Sequence, residues 1–325
     1  MGIEEYIAHL ISSPNGNSCV KAGEVLEVSH DQVTRLLNNE AYSGRDLFEK
    51  AFPNLIAQGG TLTVDDSVID KPYSNLETNE LVGKYWSGKH HKTVKGVNLI
   101  VLVYTDINDC CLPVNYRLYD PNDVKTKHDL LQQMLKEVIH WGLAPKWFTA
   151  DSWYSSISNL KYLRSLGINF QVGVKSDRIV STQKGVHEQV GQIDFIPEQG
   201  LITHLKKFGF IKLFRTTDPD NTKRHYIVFE TDTNELHRFD RQDFKQIKKR
   251  HWNVENLFRA LKQVCNLERF FVRKAQAVNN HIFAALRAFQ RITCWAKDQI
   301  FKSIYAIRSI IFLNAQRAFI KDVVA

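Results

Sequence analysis

TLTVDDSVI, residues 61–69, is the stretch from which the fold is read. It alternates and is rich in β-branched residues, which predicts a strand, and the strand ends on the pair Asp65 and Asp66. After a Gly/Lys/His-rich loop, GVNLIVLVYTD (96–106) is apolar almost throughout, so both of its faces are expected to be buried. A short turn, Ile107–Cys111, leads to a third strand, LPVNYRLYD (112–120). An amphipathic helix (His128–Trp141), a strand KWFTADS (146–152), a helix (Ser156–Leu166) and a strand INFQVGVK (168–175) follow.

Three strands in hairpin order, then a helix–strand–helix–strand alternation, predict a mixed α/β fold whose element order resembles a ribonuclease-H-like sheet. Residues 59–175 would be the first part of that core. Upstream, residues 3–12 and 20–38 read as helices, the second broken at Ser29, which with Gln32 makes a capping box. Two short helices with such a break suit a helix-turn-helix, with His30–Leu37 entering a major groove, or a small helical bundle. Residues 1–58 are thus read as a helical DNA-binding region, and Gly59-Gly60 marks its boundary. Residues 176–240, with GLITHLKKFGFIKLF (200–214), HYIVFET (225–231) and the turn DPDN (218–221), read as a β-rich insertion with little helix. From 241 to 325 the chain is helical and completes the core.

The late segment IKKRHWNVENLFRALKQ (247–263) places Val254, Leu257, Phe258 and Leu261 on one buried stripe, with Glu255 at its border and Arg259 and Lys262 on the side of Glu255. The bland alternative is a solvated face with i,i+4 pairs. The chain carries a net charge of +8, unevenly spread. Residues 241–325 hold 17 Lys/Arg against 5 Asp/Glu, a net +12, so the other 240 residues net −4. This basic quarter is interleaved with Trp252, Phe258, Phe270, Phe271 and Trp295, which suits a nucleic-acid face. Lys89, His90, His91 and Lys92 form a second basic loop that could contact phosphates. Five cysteines without CxxC spacing argue against a zinc site or disulfide frame and for a reducing compartment. The N-terminus has no signal-peptide pattern, and the apolar run 303–315 is interrupted by Arg308, so a cytoplasmic, nucleoid-associated protein is expected. Neither GxxxxGK[ST] nor GxGxxG occurs, nor a Ser in a GxSxG elbow.

Asp66 on the first strand and Asp151 at the end of the fourth would point into one space if those strands are neighbours, and Glu255 could pack across the sheet to join them. Three carboxylates form an oxygen-ligand site for Mg²⁺ or Mn²⁺, and two such ions would clamp an in-line phosphoryl transfer. Asp66 would bridge both ions, with Asp151 and Glu255 holding one each. Asp65 is the rival for Asp66; the alternation that puts Leu62 and Val64 on the face of Asp66 favours the latter.

TVDDSV, TADSWYSSISNLKYLRSLG and HWNVENLFRALKQ together resemble the DDE transposases of bacterial insertion sequences, and among them the insertion-sequence-four superfamily. The resemblance runs from about Leu62 to about Ile292 and includes the separations 151 − 66 = 85 and 255 − 151 = 104. The family's Tyr–Arg–Glu–Lys signature puts its Glu and Lys on Glu255 and Lys262, with Trp252 matching the Trp after the signature Arg. Lys248 stands where the family has Tyr and His251 where it has Arg, with Lys249 or Arg250 as substitutes at the phosphate. Some relatives flip a base onto a Trp of the insertion; here Phe208, Phe210 or Tyr226 would have to stack instead. The resemblance implies metal-dependent cleavage at inverted-repeat ends and cut-and-paste joining of the 3′-hydroxyl to target DNA. The double-stranded DNA ends would be held in at least a homodimer, with Lys262 and Arg259 on the backbone. A non-catalytic DNA-binding protein of this descent, or a nuclease without strand transfer, are the alternatives.

Overall fold

A computed structural model of the protein describes residues 1–14, 18–88, 90–120, 122–298 and 303–324. Four helices open the chain: α1 (Ile3–Ser12), α2 (Cys19–Leu26), α3 (His30–Asn39) and α4 (Gly44–Ala51). The strands β1 (Thr61–Asp70), β2 (Gly83–Ser87), β3 (Lys92–Thr105) and β4 (Cys111–Tyr119) follow, then α5 (Lys127–His140), β5 (Trp147–Ala150), α6 (Ile157–Ser165) and β6 (Asn169–Val174). The insertion supplies β7 (Ile179–Gln183), β8 (Val186–Gln189), β9 (Leu201–Leu205), β10 (Gly209–Thr217), β11 (Lys223–Phe229) and α7 (Thr233–Arg238). Three helices close the chain: α8 (Arg241–Gln263), α9 (Ala275–Lys297) and α10 (Ile307–Val324).

The strands form one mixed sheet in the order β2-β3-β1-β5-β6-β11-β10-β9-β7-β8, with β4 also paired to β3. The ribonuclease-H-like part is β4-β3-β1-β5-β6: β3 is antiparallel to β1 and β4, while β1, β5 and β6 run parallel. The expected β-rich insertion is there, and its β11 pairs directly with β6, so it lengthens the core sheet. Two elements differ from the sequence reading. The loop before the second long strand contains β2, and β1 runs four residues beyond Asp66, so its carboxylates are mid-strand. Both follow from β3, whose 14 residues are long enough to pair β1 on one edge and β4 and β2 on the other.

The residues of β3 alternate between two cores, as its continuous apolar run demands. Val97, Leu99, Val101 and Val103 lie in a core with Ile69, α8, α9 and α1–α3, while Ile100, Leu102 and Tyr104 join Leu62, Val64, α5 and α6 on the opposite face. The stripe Ile282, Leu286, Phe289 is core. No helix among the described residues is long and apolar enough to cross a membrane.

The N-terminal helices share their core with α9. The Tyr6 hydroxyl pairs with His281 Nδ1 at 2.9 Å, and Asn266 Nδ2 donates to the carbonyls of Leu10 and Ser13. Between α2 and α3 the chain turns through Glu27, whose φ is +55°, and Ser29 caps α3 by accepting from the Gln32 amide. A Cβ on Gly23 would meet the Val28 carbonyl oxygen at 2.7 Å, so glycine lets the turn close on α2. His30, Asp31 and Arg35 remain exposed on α3.

Asn280, fully buried on α9, donates to the carbonyls of Leu37 (2.9 Å) and Glu40 (2.7 Å) and accepts from the Tyr42 amide (3.3 Å). Asn280→Ala strands these groups in the interior and should cost about 2–3 kcal/mol. The melting temperature should fall by roughly 5 °C in one transition. Separate melting of residues 1–58 in hydrogen exchange would show that this shared core does not hold them.

Candidate active site

The parallel pairing of β1 with β5 matches Val64 with Ala150, so the next residues along, Asp65 and Asp151, come side by side. Both lie on the face of Thr63 and Thr149, whose hydroxyls pair at 2.9 Å, and this is the face that α8 crosses. Arg250 of α8 donates to Thr61 Oγ1 at 3.0 Å on the same face. Burial pushes the Asp65 carboxyl well above the usual range, reinforced by the charges of Asp151, Asp66 and Glu255 and opposed by the Asp66 amide, which donates to Asp65 Oδ1 at 2.8 Å. Asp151 is raised by burial and by Asp66, and is held down by the amides of Trp153 and Tyr154 and by Lys127. Its loop lies close against β6: a Cβ on Gly173 would stand 3.0 Å from the Ser152 nitrogen.

Asp66 points the other way. The covered face of Leu62 and Val64 belongs to α5 and α6, and there Asp66 Oδ2 accepts from Lys127 Nζ (2.8 Å) and Asn98 Nδ2 (2.9 Å). Its Oδ1 accepts from the buried Tyr154 hydroxyl at 2.8 Å. The expectation that Asp66 shares a space with Glu255 does not fit this packing: Asp66 lies on the face of Leu62 and Val64, which α5 and α6 cover, whereas α8 crosses the other face. Lys127, Asn98 and Tyr154 were not foreseen, because nothing local marks partners 32 to 88 residues from Asp66.

Glu255 is exposed at the rim, on one stripe of α8 with Lys248, Trp252, Arg259 and Lys262. Its carboxyl is raised by partial burial and lowered by Arg224, Arg259 and Lys248. Arg224, from β11, was also missed. Lys248 lies 5.0 Å over the Tyr226 ring, Lys262 is paired with Glu268 at 3.0 Å, and Arg250 stands 3.7 Å from Asp109. Lys249 and Arg259 are exposed, and Trp252 is 50% exposed. His251, at the family's Arg position, is mostly buried, and burial with Lys248 lowers its pKa to about 4, so it is neutral at pH 7 and lends no charge to a phosphate. Lys92 is eight residues along β3 from Ile100, the partner of Asp66, which is roughly 25 Å away. Its loop is instead tied to the far end of β1 by His90 on Asp70 at 2.8 Å, and Lys89 lies outside the described residues. Of the insertion's aromatic residues, Phe208 is buried and Tyr226 is covered by Lys248 and Phe244; Phe210 is open.

Among the described residues no three His, Cys, Asp or Glu side chains are gathered closely enough to hold a metal ion. The donor set nevertheless suits a hard divalent cation, because Asp65 and Asp151 offer neighbouring carboxylate oxygens and the Asp151 charge raises the Asp65 carboxyl.

A family model for the transposase DDE domain matches residues 59–290, well over half of the chain, and the chain belongs to that family. No curated protein matches it in sequence. Among solved structures it is similar to the piggyBac transposase synaptic complex with hairpin DNA, at a TM-score of 0.55 and 13% identity over 99% of this chain and 71% of that one. A Drosophila P element transposase strand transfer complex aligns at a TM-score of 0.28 and 12% identity, over 57% of this chain and 46% of that one. At these identities the first likeness concerns the fold alone.

Two outcomes follow. Asp66→Ala removes a charged acceptor from three donors and should cost about 2 kcal/mol, read as a lower melting temperature; an unchanged melt would deny Asp66 its anchoring part. The raised pKa of Asp65 means the folded state binds its proton more tightly than the unfolded chain. That stabilisation is complete below the ordinary carboxylate pKa and is lost as pH rises through the raised value. In EDTA the melting temperature should therefore fall with pH over that window, less steeply in Asp65→Asn. Equal slopes would show that Asp65 is not under this strain.

Proposed function

We propose that the chain is a cut-and-paste transposase of the insertion-sequence-four type, in which Asp65, Asp151 and Glu255 hold two divalent cations, Mg²⁺ or Mn²⁺. Asp65 takes the place that alternation alone would give to Asp66. The observation that supports this most is the β1–β5 register, which sets Asp65 beside Asp151 on the face crossed by the Glu255 helix. Bound divalent cations would supply Lewis acidity at the scissile phosphate and a nucleophile at neutral pH.

The chain's own residues orient and steer. Asp66, through Lys127 and Tyr154, fixes the loop that carries Asp151. Lys248, Arg259 and Arg224 around Glu255 offer positive charge to a DNA backbone, and Lys249 extends it along α8. Lys262, paired with Glu268, would reach a phosphate by exchanging that partner. Trp252, half open on the same stripe, is placed to pack against sugar or base. The α2–α3 pair, with its tight turn and open α3 face, would read the element's inverted repeats in the major groove. Joining two ends requires two copies of the chain, so a homodimer is the proposed working form.

Asp65→Asn should abolish Mg²⁺-dependent nicking and strand transfer on a duplex carrying the element's end and leave binding intact. Asp66→Asn should lower activity without removing it. Full nicking by Asp65→Asn would reject the assignment, and nicking without strand transfer by the wild type would leave a nuclease.

A further inference from the structure

A cavity of about 550 Å³ opens beside Asp151, between the loop that follows it, the turn after β6 and the turn between β9 and β10. One wall is Trp153, 54% exposed, whose amide donates to Asp151 Oδ1 at 2.9 Å. Lys175, Arg178, Lys206 and Lys207 line the remainder against one acid, Asp177. Arg178 is held in place by the Ser155 carbonyl at 2.9 Å. Only the backbone amide of Trp153 touches the carboxylate site; its indole and the four cations do not, and the cations come from segments on both sides of β7 and β8.

The combination selects its occupant. Clustered cations attract a phosphodiester backbone. An open indole offers a stacking face that a paired base, already stacked between neighbours, cannot use, whereas an unpaired base can. The volume falls within the range of small-ligand sites and suits one nucleotide. Resting on the proposed function, we propose that this cavity takes an unpaired nucleotide of the strand lying over Asp151, its base against Trp153 and its phosphates toward Lys175, Arg178, Lys206 and Lys207. Holding that nucleotide would anchor the strand immediately beside the phosphate to be attacked.

The test is fluorescence anisotropy in EDTA with the full chain and two labelled duplexes, one flush and one with a short single-stranded thymidine overhang. The overhang should bind more tightly to the wild type. Trp153→Ala should remove about 10-fold of affinity for the overhang and leave the flush duplex unchanged, with Trp153→Phe retaining most of the preference. Lys206→Ala with Lys207→Ala should flatten the salt dependence of overhang binding by roughly 1.4 in log K against log salt. Equal losses on both duplexes, no loss on either, or tight binding of free thymidine monophosphate without overhang preference would each overturn the proposal. Circular dichroism and melting of each variant separate misfolding from loss of the site. Nicking by the wild type in Mg²⁺ tests the catalytic reading separately, since binding in EDTA needs no cleavage.

Discussion

The alignment of β1 with β5 is the constraint on which the site depends. A parallel pair shifted by one residue would turn Asp65 toward α5 and put Asp66 under α8, exchanging the pinned carboxylate for the one beside Asp151. The alignment is held from both sides. The Thr63–Thr149 hydroxyl pair sits directly behind the carboxylates, and β3, buried on both faces, fixes the other edge of β1. Two acidic groups held side by side repel one another, and the packing around them keeps that arrangement in place.

Adjacent residues of one strand therefore divide two tasks. Asp66 is neutralised by Lys127 and saturated by Asn98 and Tyr154, so it acts on the structure. Asp65 accepts from the Asp66 amide and lies on the face crossed by the helix that carries Glu255. Through Tyr154 the first carboxylate secures the loop bearing Asp151, so the rear face of the sheet positions groups on the front one.

Much of this was legible in the residues themselves. The continuous apolar run 96–105, the alternation of 61–69 and the periodicity of 247–263 mark β3, β1 and α8, because each records burial on two faces, one face or one stripe. Asp151 at a strand end and Glu255 at the border of a buried stripe stand where the residue pattern puts them. Which of Asp65 and Asp66 faces α8 was not legible, since alternation says that two neighbours face opposite ways but not which face a late helix covers. That depends on a partner strand more than 80 residues away. Lys127, Tyr154 and Arg224 were hidden for the same reason, and the neutrality of His251 rests on burial that a sequence does not display.

The direct pairing of β11 with β6 has a mechanical meaning. An insertion that joins the sheet through its backbone ladder cannot swing on a hinge without breaking that ladder, so its strands and those that lead to Asp65 and Asp151 tilt as one plate. The spacing between Arg224 and the α8 stripe is then set by sheet twist, and any local adjustment falls to the turns at the plate's rim.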